Sequence, residues 1–299
     1  MRSAARLNHG NVRLKCVHKA GDFRMQRMTD MLVAAKAPES PQGRFWGLIP
    51  CAGVGARAIA AGAPAPDLPK QYQTVAGQPL VLHTLAAFAG VPRLAGTVVA
   101  VAPQDQFLDS YSSPLWWHAP CGGATRADTV VGGLQVLLAR GAAAHDWVLV
   151  HDAARCLVTA AQIEQLIAAC EHDHVGGLLA HKLPDTLKTA VTDASGVRVA
   201  ATVDRSDKWL AQTPQMFRLG VLLDALSRMG AAATDEASAM EALGHRPKLV
   251  PGGAQNFKVT YPDDFALAEA VLAQRGGSAT LDLFKGQGSA VQSMGNPFF

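Results

Sequence analysis

Apolar residues along the chain fall into two alternating rhythms. Short, nearly continuous runs ("RFWGLIPC", "GTVVAVAP", "DWVLVHD", "VGGLLAHKL") predict buried strands. Between them, "QPLVLHTLAAFAG", "TRADTVVGGLQVLLAR" and "TAAQIEQLIAACEH" repeat apolar positions at helical spacing. The first of these stops at Gly90, and the other two open on Thr125 and Thr159, residue types suited to a helix N-cap. Strands without polar alternation, separated by amphipathic helices, predict an α/β fold: a mostly parallel, doubly wound, Rossmann-like sheet covered on both faces. Ligands in such folds sit at the carboxyl ends of the strands. Residues 183–213 break the rhythm. They alternate polar and apolar positions around a turn signal at Asp193–Gly196, which predicts a protruding β-arm. An arm with little to bury against its own sheet predicts a homodimer in which it lies on the partner chain. The β pattern resumes in "KLVPGGAQNFKVT", and a last helix, "DDFALAEAVLAQ", follows Pro262.

Composition narrows the class. The chain has 299 residues, 49% hydrophobic and 17% charged, a globular balance. No apolar run approaches the roughly 18–20 residues of a membrane span. A net charge of +3, with no interleaving of basic and aromatic residues, argues against nucleic acid as a partner. Cys16, Cys51, Cys121, Cys156 and Cys170 are scattered without a C-x-x-C pair. This spacing predicts neither a zinc site nor a disulfide framework, and a reducing, cytoplasmic setting follows. Residues 1–42 are basic, lack apolar periodicity and carry no h-region. They read as a disordered extension, or as the product of an upstream start with Met28 or Met31 as the real one. Residues 276–299 read as a flexible tail, leaving 43–275 as the working domain.

Three clusters carry candidate chemistry. The strand ending "IPC" runs into a long stretch of small residues and proline with a cation near each end, Arg57 and Lys70. Glycines at a strand end let backbone N–H groups approach a ligand, most often phosphate. Gly53 and Gly55 are not followed by Gly-Lys-Ser/Thr, which excludes a P-loop, and Ala58 stands where a dinucleotide fingerprint needs its third glycine. A glycine turn with two cations on one segment is able to close around a triphosphate; taken alone, the string equally describes a plain tight turn. In "VLVHDAARCL", Asp152 is placed to hold Mg²⁺, which binds through one or two carboxylates plus phosphate oxygens. Arg155 pairs either with a phosphate or with Asp152, and a purely structural Asp–Arg pair is the competing reading. His151 reads as a structural histidine. In "CGGATRADTV", Gly122–Gly123 precede a helix, as a base or ribose contact or as a simple helix start.

Nine strings stand in order: "PCAGVGAR", "PKQY", "GGATRADTV", "VHDAAR", "DTLK", "TVDR", "TPQMF", "TDEASAMEALG" and "NFKVT". Together the chain from Trp46 to Gln274 closely resembles the 2-C-methyl-D-erythritol 4-phosphate cytidylyltransferases of the non-mevalonate isoprenoid pathway. The resemblance implies transfer of CMP from CTP to the polyol phosphate, with release of pyrophosphate and with Mg²⁺ as cofactor. It implies Arg57, Lys70 and Lys258 on the phosphates, and Cys51, Ala52, Gly53, Gly55, Gly123 and Thr129 around the nucleotide. It assigns Asp152, Arg155, Thr186, Arg205 and Thr234 to the polyol phosphate, Asp152 also to the metal, and Thr186 and Arg205 to the other subunit's site. A phosphate monoester is already an anionic nucleophile, so this reaction needs positioning and charge neutralisation rather than a strong base. The chain departs from the family at Cys51 (usually alanine), Ala56 (often arginine), Ala124 (often acidic) and Cys156 (usually proline). The last departure predicts a looser loop behind Arg155. A ribitol 5-phosphate cytidylyltransferase, sharing much of the nucleotide half, is the alternative.

Overall fold

The computed structural model describes residues 43–53 and 68–276. The predicted extension, most of the tail, Gly55, Ala56 and Arg57 lie outside the described residues. The central strand is β1 (Phe45–Pro50). It pairs in parallel with β4 (Leu94–Ala100) on one side and β6 (Trp147–Val150) on the other. Flanked on both edges and covered on both faces, β1 has no wet side, and Leu48 and Ile49 are fully buried. The expected mostly parallel sheet is present. Its seven strands run in the order β11 (Lys248–Pro251), β7 (Gly176–Lys182), β10 (Trp209–Arg218), β6, β1, β4, β5 (Trp116–Ala119). Only β10 runs antiparallel to its neighbours, entering between β6 and β7.

A separate two-stranded ladder, β2 (Thr74–Val75) and β3 (Gln78–Pro79), leads into the first helix, and helices cover both faces of the main sheet. On one side α1 (Leu80–Ala89) and α3 (Ala160–Cys170) pack Leu85, Phe88, Ile163 and Leu166 against Ile49, Val99 and Leu149. On the other, α2 (Arg126–Ala139), α4 (Leu219–Met229) and α5 (Glu236–Ala242) bring Leu134, Leu222 and Met240 onto Leu48, Val98 and Val150. The alternation of Leu48 and Ile49 between these layers is the period-2 pleat of a strand read from two sides. Gly47 is required within β1, because a Cβ there would lie 2.9 Å from the Phe88 ring and 2.4 Å from the Thr97 hydroxyl. α1 ends at Gly90, while Thr125 and Thr159 cap α2 and α3 with reciprocal capping boxes to Asp128 and Gln162. α6 (Pro262–Gln274) starts on Pro262 and closes a third cluster with Val75, Leu80, Cys156 and Val259.

The arm is a two-stranded hairpin, β8 (Leu187–Asp193) and β9 (Gly196–Val203), turning at the expected place. From residue 209 the chain has already joined β10 in the main sheet, so the hairpin is shorter than residues 183–213. The predicted β pattern over 248–260 also shortens: β11 covers Lys248–Pro251, and the rest is irregular backbone fixed by side chains. Cys156 is buried at 2% exposure, and its carbonyl neighbour Leu157 accepts from Arg275 Nη1 at 2.8 Å. The loop expected to loosen there is packed on both sides.

At the amino ends of β1 and β6, the buried Asp146 carboxylate accepts from Arg44 N, Trp46 Nε1 and Ala143 N, each at 2.9 Å. Burial opposes its ionisation, but these donors and the Arg44 guanidinium prevail and hold its pKa below the ordinary carboxylate value. A carboxyl whose pKa falls on folding stabilises the native state above its unfolded pKa and loses that contribution as pH drops through the folded value. Asp146→Asn is therefore expected to lower stability at neutral pH and to flatten its fall below about pH 4. Urea titrations of both proteins between neutral and acid pH measure this, and parallel pH profiles would contradict it.

Candidate functional site

Pairing continues just past the strand ends. Cys51 N donates to Ala100 O at 2.8 Å and His151 N to Leu48 O at 2.9 Å. The segments after β1 and β6 therefore leave the sheet side by side, at the point where strand order reverses around β1. A cavity of about 430 Å³ opens there, lined by Cys51, Ala52, Gly53, Lys70, Gly123, Thr129, Asp152 and Lys258, and also by Gln71, Thr125 and Arg126.

The wall beside β1 is a short 3-10 turn, Lys70–Tyr72, with all three side chains buried. Gln71 Nε2 donates to Cys51 O at 2.9 Å, which fixes the first residue of the loop. Tyr72 Oη donates to Asp105 Oδ2 at 2.6 Å and its ring stacks on Phe107 at 4.0 Å. Lys70 Nζ donates to Val259 O at 2.6 Å. The sequence places Lys70 at the end of a long stretch of small residues and proline. The structure buries its stem and leaves it 9% exposed, with the ammonium tied to the segment that carries Lys258. Burial pushes the Cys51 thiol up to about 12, so this departure from alanine adds a neutral side chain to the cavity wall.

The opposite wall is the start of α2. Gly123 N donates to Thr129 Oγ1 at 3.1 Å, and Thr129 Oγ1 donates to Thr125 O at 3.0 Å. A Cβ on Gly123 would sit 2.3 Å from Asp128 Cβ, so the turn admits only glycine. The Thr129 hydroxyl is occupied in shaping the wall. Ala124, another of the departures noted in the sequence, is exposed at this turn.

The floor is Asp152. Its Oδ1 accepts from Arg126 Nε at 3.0 Å and its Oδ2 from Lys258 Nζ at 2.7 Å. Burial would raise its pKa, but these two cations, with Arg155 Nε at 3.9 Å, hold the carboxyl far below the usual carboxylate range. Arg126 also reaches Glu236, Nη1 to Oε1 at 2.6 Å and Nη2 to Oε2 at 3.0 Å. Glu236 is fully buried at the first turn of α5.

Behind Asp152, His151 is neutral: burial lowers its pKa to about 4. Its Nε2 faces Arg155 O at 3.1 Å and must carry the proton, which leaves Nδ1 to accept from Thr213 Oγ1 at 3.0 Å. The same Thr213 oxygen accepts from Asp152 N at 3.0 Å. His151 is the structural histidine the sequence predicts. Arg155 braces the loop, donating from Nη1 to Asn256 O at 2.7 Å and from Nη2 to Ala211 O at 3.3 Å. Of the two partners expected for Arg155, Asp152 stands near it but backbone carbonyls take its hydrogen bonds, and Arg155 does not line the cavity. Asn256 Nδ2 donates to Thr213 O at 2.9 Å and Val259 N to Ala154 O at 2.9 Å, which hold Lys258 over the floor.

Thr186 and Arg205 are exposed at the base of the arm. Arg205 lines a separate shallow hollow with Lys182, Leu183, Pro184 and Ser206. Thr234 is exposed one residue before the α5 cap, Asp235. Arg126, Glu236 and Gln71 were not singled out from the sequence. Arg126 and Glu236 stand in two of the quoted strings, but 110 positions separate them and nothing local marks their pairing.

Among the described residues no cluster of three His, Cys, Asp or Glu is present. Glu236 is committed to Arg126 and Asp128 to the Thr125 cap. One carboxylate beside a cavity rimmed by cations fits Mg²⁺ arriving with phosphates, which takes few protein ligands, and does not fit an all-protein cage.

Comparison with known proteins gives concordant matches. The family model described as "IspD: 2-C-methyl-D-erythritol 4-phosphate cytidylyltransferase" matches residues 46–274. A bifunctional enzyme IspD/IspF of Albidiferax ferrireducens is 64% identical over 234 residues, spanning 78% of this chain and 54% of that protein. The chain thus covers about half the length of that relative. A 2-C-methyl-D-erythritol 4-phosphate cytidylyltransferase of Chromobacterium violaceum is 51% identical, across 76% of this chain and 97% of its own. The crystal structure of the cytidylyltransferase of Francisella tularensis superposes with a TM-score of 0.63 at 32% identity, covering 77% of this chain and 100% of that one. None of these carries a ribitol phosphate name.

Thr213 serves two buried groups at once. Thr213→Val keeps its shape but strands the Asp152 N–H and the proton acceptor of His151. A loss of about 1–3 kcal/mol is expected for each group left unsatisfied. Chemical denaturation of Thr213→Val and Thr213→Ser measures it; serine should recover most of the difference, and equal losses would contradict the assignment.

Proposed function

Because the chain belongs to the 2-C-methyl-D-erythritol 4-phosphate cytidylyltransferase family, we propose that the cavity between the β1 and β6 ends is where CMP passes from CTP to 2-C-methyl-D-erythritol 4-phosphate. The products are 4-diphosphocytidyl-2-C-methyl-D-erythritol and pyrophosphate. The observation that carries this reading is the convergence of Lys70, Lys258 and Arg126 on a cavity floored by a single ionised carboxylate, Asp152.

The polyol phosphate oxygen attacks the α-phosphorus of CTP, and the bond to the pyrophosphate oxygen breaks. Both reactants are polyanions, so the residues present act by orienting them and by offsetting negative charge. Lys70 and Lys258 face the phosphates, and the backbone of Cys51, Ala52 and Gly53 with the Gly123 turn receives the nucleoside. Arg57 and Gly55 belong to the same loop by sequence. Bound Mg²⁺ would supply further charge neutralisation on the phosphates, held by Asp152. Asp152 pairs with Lys258 at 2.7 Å. Phosphate entering the cavity competes for that lysine, which keeps a cation available without leaving it unpaired beforehand.

Thr186, Arg205 and the arm serve a neighbouring subunit in this reading. Val191, Val197 and Val199 on the hairpin are 51–71% exposed, and Trp209 and Leu210 at its base are exposed as well. A lone hairpin with this apolar surface gains stability by lying on another chain. The four described cysteines are free thiols, which supports a cytoplasmic setting. No described helix is long and apolar enough to cross a membrane.

Pyrophosphate release across the four nucleoside triphosphates, each with methylerythritol phosphate or ribitol 5-phosphate, tests the reaction. Release with CTP and methylerythritol phosphate well above every other pair is expected; equal or higher release with ribitol 5-phosphate would overturn the assignment.

Arm exchange has its own test. Arg205→Ala should raise KM for the polyol phosphate far more than KM for CTP, since arginine suits bidentate phosphate recognition. Lys70→Ala should lower kcat by about 10²-fold or more. In mixed dimers of these two chains, crossed arms give one site with both defects and one with neither. Activity then recovers to about half per dimer for independent sites, whereas no recovery means that Arg205 serves its own chain.

A further inference from the structure

The pairing of cavity-lining Arg126 with the buried Glu236 extends the proposed function, on which its catalytic reading rests. We propose that Glu236 is a positioning residue for the transfer reaction, setting the Asp152 carboxylate through Arg126. Glu236 does not line the cavity and is fully buried. Its two oxygens take both terminal nitrogens of Arg126, at 2.6 and 3.0 Å. That leaves one donor edge, Nε, for Asp152 Oδ1 at 3.0 Å. With the guanidinium plane fixed from behind, Asp152 meets arginine through one oxygen only, and Oδ2 is left for Lys258 at 2.7 Å.

The fork explains why a carboxylate rather than an amide stands at position 236. A carboxylate offers two acceptors to a bidentate arginine. Glutamine offers one acceptor and an NH₂ that meets Arg126 donor to donor. An arginine released from Glu236 has Asp152 as its nearest remaining carboxylate, and the same fork geometry favours taking both Asp152 oxygens. Lys258 then loses its partner, and the floor of the site presents a carboxylate already saturated by arginine. Glu236 itself is anchored from a different strand. Gln215 on β10 accepts from Ala237 N at 2.7 Å and donates to the cap Asp235 at 2.8 Å, fixing the first turn of α5.

The test compares Glu236→Gln and Arg126→Lys with the parent protein. Arg126→Lys keeps the charge beside Glu236 but loses the fork, and it serves as the second variant should Glu236→Gln fold poorly. The crystal structure of Glu236→Gln is expected to show the Lys258 Nζ to Asp152 Oδ2 contact opened beyond about 4 Å, the outer limit of an ion pair; Arg126→Lys, with no fork to take both oxygens, is expected to keep that contact and to lose the fixed donor on Asp152 Oδ1. Kinetics per active site, counted by titration of folded protein, are expected to show kcat/KM down about 10- to 100-fold, the scale for residues that orient a primary ligand. KM for the polyol phosphate should rise while KM for CTP stays within about twofold, following the assignment of Asp152 to the polyol side. In an Asp152→Asn background, Glu236→Gln should add little further loss, because its route to the site is gone. A merely structural role predicts a lower melting temperature with unchanged kcat/KM per active site; that result in both variants, or an intact Asp152–Lys258 contact in Glu236→Gln, overturns the proposal. The crystallographic arm needs no turnover. Should the parent protein release no pyrophosphate with any substrate pair, the proposed reaction fails while the variant structures still decide whether Glu236 sets Asp152.

Discussion

Parallel pairing of β1 with β4 and β6 at once is the constraint on which the remaining architecture depends. It buries the strand on two edges and two faces, which demands the unbroken apolar run Phe45–Pro50 and a glycine at 47 for the helix above. It also fixes where the chain must emerge. Because the residues after Pro50 and Val150 continue the ladder for one more hydrogen bond each, their loops diverge only at the carboxyl edge. The cavity lies in that gap. The antiparallel β10 then adds a second consequence. A strand running back from the arm passes beneath Asp152, and its Thr213 and Gln215 side chains support the floor and the start of α5.

The floor is an electrostatic solution as well as a geometric one. An ionised carboxylate at 8% exposure would be costly without partners. Arg126 and Lys258 offset that cost, and the backbone N–H of Asp152 is satisfied by Thr213, whose own hydrogen goes to a neutral histidine. The Asp152 carboxylate, its N–H, the Thr213 hydroxyl and both His151 nitrogens each have a partner of defined identity. Substitutions of one member are felt by the next, so Asn256 and Thr213, distant in sequence, share responsibility for where Lys258 stands.

Apolar periodicity carried much of the fold, because strands buried on both faces and helices buried on one leave different signatures. β1, β4, β6, β7 and helices α1 to α3 follow from it, as does the hairpin turn. β5 escapes because "WWHA" is a four-residue edge strand with no run to mark it, and α4 and α5 because they fall after the motif-rich arm, where no strand signal separates them. At the site, Cys51, Ala52, Gly53, Lys70, Gly123, Thr129, Asp152 and Lys258, all named by the resemblance, line one cavity, whereas Arg155, Thr186, Arg205 and Thr234 do not. The resemblance did not disclose that Lys70 is buried rather than carried on a soft loop, since the Val259 carbonyl that receives it lies 189 positions away. Nor does sequence show that Arg155 spends its donors on backbone. A charged residue in a motif looks the same whether it faces substrate or braces the wall.

The distribution of charge around the cavity follows from the need to be stable before substrate arrives. Three cations line one cavity, which in the proposed function receives phosphates, and cations that close, without counterions, would repel one another and oppose folding. Two carboxylates stand among them, and they are not equivalent. Glu236 is sealed away with both oxygens on arginine, an arrangement that phosphate cannot reach. Asp152 lies on the surface of the cavity and holds Lys258 by a single oxygen. One carboxylate thus keeps its cation permanently, and the other holds its cation where an incoming anion is able to take it. A site built from unpaired lysines would bind phosphate more avidly but would be harder to fold. Lysine–phosphate contacts are made one at a time, as point charges, which suits a cation that must change partners. The fork of Arg126, engaged on two sides, suits one that must not.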